Sequence, residues 1–134
     1  MINVDYQRLI QELCNEAGID DWGQVAESRH VDVEGVTTGL LCDETDSPNT
    51  LAIYFDFGVT HDVEVLRRLL EYNAAFGPEV EGNGYFALLP EEGKVTYRVN
   101  MPWTDATNGG QLLTDLGEFL KVAKQGYESC VSPY

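Results

Sequence analysis

The residues able to do chemistry in this chain are few and poorly grouped. His30 and His61 stand beside Asp32 and Asp62, pairs that could ligate a metal or act as a base with its orienting carboxylate. In a chain with 23 Asp and Glu among 134 residues such neighbours arise by chance. His61 is instead expected in the first turn of a helix, and His30 on the solvent side of an early strand. Carboxylates cluster at Asp20 and Asp21, at Asp43, Glu44 and Asp46, and at Glu91 and Glu92, always in expected loops or turns and never with the D-x-D-x-D-G spacing of a calcium loop. Cys14, Cys42 and Cys130 are odd in number, widely spaced and lack a C-x-x-C pair, which argues against a disulfide framework or zinc ribbon and fits reduced thiols. "GNGYFA", Gly82 to Ala87, copies the letters of a dinucleotide fingerprint. That fingerprint must follow a strand and open a helix, whereas here a helix precedes and a strand follows. With no G-x-S-x-G elbow and no P-loop, the expectation is a non-enzymatic chain with no catalytic residues, metal or cofactor.

The elements that would position any site follow from periodicity. Residues 3 to 17 place Tyr6, Leu9, Ile10, Leu13 and Ala17 on one helical face, with Asn3 as N-cap and Gly18 as the stop. A loop, "GIDDWGQVAE", is expected next. Three strand-like runs, "SRHVDVE", "VTTGLLCD" and "TLAIYFDFG", follow, the last preceded by the polar turn "DETDSPN". A second helix spans about Asp62 to Phe76, a hairpin turns at Pro90 to Gly93, and a third helix covers about Gln111 to Glu128. The predicted order is α-β-β-β-α-β-β-α, an α+β fold with a mainly antiparallel twisted sheet and helices packed on it, in one domain over residues 1–134.

Two stretches carry more apolar surface than one chain needs. In the hairpin, Leu89 should pair with Lys94, Ala87 with Thr96 and Tyr85 with Arg98, because cross-strand partners share a face. The other parity, Phe86 and Leu88 beside Val95, Tyr97 and Val99, is the expected core face, so Tyr85, Ala87 and Leu89 are left seeking cover. In the third helix, Leu112, Leu113, Leu116, Phe119, Leu120, Ala123 and Tyr127 fill roughly 120° of arc, one packed face. In the second, a stripe of Val63, Leu66, Leu70 and Ala74 adjoins one of Val65, Leu69, Tyr72 and Phe76, together spanning roughly 200°. Two surfaces must cover that helix. The expected second surface is another copy of the chain, a homodimer interface made of Val65, Leu69, Tyr72, Phe76, Tyr85, Ala87 and Leu89.

Bulk properties narrow the partners. A net charge of −15 repels phosphate backbones and anionic lipids, so neither nucleic acid nor membrane is expected, and it suits either a basic partner or a well-solvated surface. No segment approaches 18 apolar residues and no signal-peptide pattern opens the chain, which suggests a cytoplasmic protein.

One run ties these features together. "LLEYNAAFGPEVEGNGYFALLPEEGKVTYRVNMPW", followed by "LLTDLGEFLKVAKQGYE", resembles the C-terminal half of a class I type III secretion chaperone of the Tir-chaperone (CesT) family. Asn73 near a helix end, Gly82 and Gly84 in a loop, the turn Pro90 to Gly93, and Pro102 after the second strand occupy the family's places. The resemblance implies a homodimeric, ATP-independent, bacterial cytoplasmic chaperone that holds the N-terminal segment of one or a few secreted effectors extended, soluble and ready for secretion. It also implies a client surface on the first helix and early strands, here Ile2, Tyr6, Ile10, Val31 and Val33, with edge pairing by an effector strand. YbjN-like regulators share much of the pattern, and the alternative is such a regulatory or adaptor domain acting on a folded partner.

Overall fold

The computed structural model describes residues 4–43, 47–76, 84–89, 91–104 and 107–132. Helix α1 (Val4–Ala17) buries Tyr6, Leu9, Ile10 and Leu13 of the stripe that 3.6-residue periodicity predicts, while Ala17, at its last turn, is exposed. Gly18, at φ 75°, ends it, and the Ile19 N–H returns to the Cys14 carbonyl. The expected N-cap, Asn3, lies outside the described residues.

The expected loop over 18–27 instead contains α2 (Trp22–Ser28). The Asp21 carboxylate accepts the Gln24 N–H at 3.1 Å, and Arg29 closes the helix in the left-handed region at φ 63°. Seven residues are too few for a periodic stripe, and Val25 alone is fully buried. The readable signal was the Asp21-x-x-Gln24 spacing of a helix start.

Strands β1 (His30–Val33), β2 (Val36–Asp43) and β3 (Ser47–Val59) follow, then α3 (Val63–Phe76), β4 (Tyr85–Leu89), β5 (Lys94–Pro102) and α4 (Gly109–Val131). The fold is α+β, with one antiparallel sheet ordered β1-β2-β3-β5-β4. Several boundaries shift from expectation, among them α4, which extends beyond Gln111 and Glu128 at both ends, and β1, which starts at His30 rather than Ser28. Ser47, Pro48 and Asn49, read as turn, belong to β3, and His61 precedes α3, whose first N–H groups are accepted by Asp62.

The hairpin register is the expected one, with Tyr85 opposite Arg98, Ala87 opposite Thr96 and Leu89 opposite Lys94. Alternation carries the two faces across the whole sheet. Val31, Thr38, Phe55, Tyr97 and Phe86 make one row through all five strands, and all are buried against the helices. Leu88 departs from the expected pattern: it has the core parity but is 44% exposed, near the end of a short edge strand. Leu112, Leu116, Leu120 and Ala123 of α4 close the core. Helix α4 meets α1 closely at Gly109, where a Cβ would overlap the backbone of Glu12 and Leu13.

Candidate interaction surfaces

The residues that could have formed a catalytic group stand apart. Exposed His61 precedes α3, and exposed His30 places Nε2 against the Tyr54 hydroxyl. Among the described residues no group of three or more His, Cys, Asp or Glu is placed to hold a metal ion. Cys14 and Cys130 are buried, and burial pushes both thiols up, away from the reactive thiolate.

The surplus apolar surface of α3 is present, but on the other stripe. Val65 and Leu69, expected at an interface, are 5% and 4% exposed and belong to the protomer core. Tyr72 is half-buried against Phe86, with ring centroids 5.5 Å apart, while Phe76 is exposed. Val63 and Leu70 are 74% and 69% exposed. The stripes exchange roles because α3 packs on β4 and α4. Tyr72 lies against Gly126 of α4, and Arg68 Nη1 donates to the Cys130 carbonyl at 2.9 Å, which turns Val65 and Leu69 inward. Tyr85, Ala87 and Leu89 are half-buried on the sheet face opposite the helices.

Between α3 and β4 runs a groove of about 90 Å³, lined by Leu66, Leu70, Asn73, Phe86 and Leu88. Asn73 closes one end. Its Nδ2 donates to the Phe86 carbonyl at 2.8 Å and its Oδ1 accepts the Phe86 N–H at 2.7 Å. An edge strand would otherwise present both groups to any passing chain. This side-chain clamp was not predicted, although Asn73 had been singled out by resemblance.

The client residues expected from the resemblance are also committed to the interior. Tyr6, Ile10, Val31 and Val33 are 4%, 0%, 7% and 7% exposed, and the Tyr6 hydroxyl donates to the Leu40 carbonyl at 2.6 Å. Ile2 lies outside the described residues. A hollow of about 400 Å³ remains at this end, lined by Ile19, Val25, His30, Val31 and Asp32. It lies beside β1, which is an outer strand of the sheet and pairs with β2 alone among the described strands. What this end offers a partner is a sheet edge beside a hollow, not the tips of Tyr6 and Ile10.

No family model matches the sequence, and no curated protein matches it. Among solved structures, the chain is similar to a chain of the "Structure of the HopA1-SchA Chaperone-Effector Complex" at 13% identity. The match covers 93% of this chain and 94% of that one, with a TM-score of 0.64. The two share a fold from end to end.

Proposed function

We propose that this chain is a class I type III secretion chaperone of the CesT type, a non-catalytic protein of the bacterial cytoplasm. It binds the N-terminal segment of one or a few secreted effectors without ATP and keeps that segment extended and soluble. The observation that carries the reading is the fold likeness, over nearly the full length of both chains, to a chain of a chaperone–effector complex. The sequence resemblance reaches the same class from different data.

The geometry supplies the means. The outer edge of β1 receives an effector strand, and the hollow beside it takes side chains from that strand. A disordered segment must lose chain entropy on binding, so its affinity comes from contacts spread over a long stretch. The chaperone acts as a homodimer. Its interface uses exposed Val63 and Leu70 and half-buried Leu66, with exposed Phe76 and Leu88, in place of the inward Val65 and Leu69. Tyr72 packs against Phe76, with ring centroids 5.0 Å apart.

Capture from the native cytoplasm, followed by mapping of the bound region, tests the proposal. The expected partner is a secreted protein that loses binding when its N-terminal segment is deleted. A partner held only through a folded domain would overturn the reading and favour the YbjN-like adaptor.

A further inference from the structure

The sheet face away from the helices carries a second row through all five strands. His30 lies opposite Gly39, Gly39 opposite Tyr54, Tyr54 opposite Arg98, and Arg98 opposite Tyr85. Gly39 has no side chain, and the Tyr54 ring occupies the space where a Cβ would sit. Tyr54 therefore lies down across β2. Its hydroxyl meets His30 Nε2, and the two rings stand edge to face at 5.8 Å and 80°. The guanidinium carbon of Arg98 lies 6.0 Å from the Tyr54 ring centroid, within cation–π range. Arg98 is thus half-buried between two tyrosines, held from below by a long contact of 3.5 Å from its Nε to Thr96 Oγ1.

Acidic residues outnumber basic ones 23 to 8, and among the described residues Arg8, Arg67 and Lys94 each pair with a carboxylate, whereas Arg98, like Arg29, Arg68, Lys121 and Lys124, does not. Among the described residues no carboxylate lies within 4.0 Å of Arg98. A guanidinium fixed on an aromatic face keeps its terminal N–H fork available for a bidentate carboxylate.

We infer that this row is a contact surface for an acidic side chain flanked by an aromatic or apolar one, on an extended segment of the bound partner. The inference rests on the chaperone reading for who supplies the segment, and on the row alone for its chemistry. Charge selects among anions. A polyanion would meet the field of the −15 protein along its length, whereas a single carboxylate meets Arg98 locally, with charges beyond about 8 Å screened at physiological salt.

The test uses the full chain, labelled with ¹⁵N, titrated with acetyl-Phe-Glu-Leu-amide and with its Glu-to-Gln counterpart. The Glu peptide should move the Arg98 Nε–H and the backbone amides of Tyr54, Arg98 and Tyr85, and should bind about tenfold more tightly than the Gln peptide, roughly 1.4 kcal/mol. Arg98→Gln should erase that difference, and Arg98→Glu should reverse the preference toward a Lys-bearing peptide. Equal binding of the two peptides, no binding at millimolar concentration, or shifts confined to α3 or β1 would overturn the inference. The peptide comparison needs no altered protein, so a folding defect in a variant cannot mask the outcome. Because the peptides are synthetic, failure here leaves the chaperone reading to the capture experiment, and failure there leaves this row standing.

Discussion

Tyr6 shows what a single buried polar group does in this core. Its hydroxyl donates to the Leu40 carbonyl, and burial pushes its pKa up to about 12, with Arg29 pulling down and Cys42 adding to the rise. In the unfolded chain the phenol ionises near 10, so the folded state holds the proton more tightly. Its stabilising contribution is therefore whole below pH 10 and is lost as pH rises from about 10 to about 12, a change on the order of 3 kcal/mol. Urea unfolding followed across that window should show stability falling. Tyr6→Phe should make the fall shallower and lower stability near neutrality by about 1 kcal/mol, through the unpaired Leu40 carbonyl. Tyr54, Tyr72 and Tyr97 are also pushed up by burial, so some slope remains. An alkaline limb as steep in Tyr6→Phe as in the parent would remove Tyr6 as its source. Periodicity placed Tyr6 on the apolar stripe of α1 without saying what lies against it, and the family resemblance then assigned it to a client.

At the scale of elements, Asn73 joins α3 to β4 by acting as one residue of a missing sixth strand. Asn73→Ala leaves the Phe86 N–H and carbonyl without those partners and should cost about 1–3 kcal/mol. Hydrogen exchange at the Phe86 amide should quicken along with it. Asn73→Asp keeps the acceptor and loses the donor, so its effect should be smaller on the N–H than on overall stability. An exchange rate at Phe86 unchanged in the alanine variant would show that the clamp does not hold this edge. Elements differed in how legible they were. The β4–β5 register was readable because a short turn leaves two strands only one way to pair, and side chains then alternate strictly. The seven-residue α2 was legible only in the Asp21-x-x-Gln24 spacing of its start, because about two turns are too few to establish an apolar stripe. The failure at Leu88 has another cause: parity assigns a face, but only the extent of the covering helix decides whether that face is closed.

For the whole molecule, the decisive test is of association. Leu70 is 69% exposed, so Leu70→Glu should leave the protomer folded while abolishing the proposed dimer, with light scattering falling to the 14.9 kDa of one chain. Leu69→Glu, at a position 4% exposed, should unfold the protomer instead. A parent protein already at 14.9 kDa at micromolar concentration, or a Leu70→Glu variant that still associates, would reject the α3 stripe as an interface. The sequence by itself determined the α+β class, the hairpin register and the excess of apolar surface on α3, because these depend on local periodicity and on the fixed alternation of strands. Its resemblance to a chaperone family carried an expectation of which the structural comparison shows the fold alone. Only the tertiary structure decided which stripe of α3 faces inward, that Tyr6, Ile10, Val31 and Val33 are core, and that Tyr54, Arg98 and Tyr85 share a row with His30. Those facts depend on how α3, α4 and five strands meet across long separations in the chain, where no local pattern reaches.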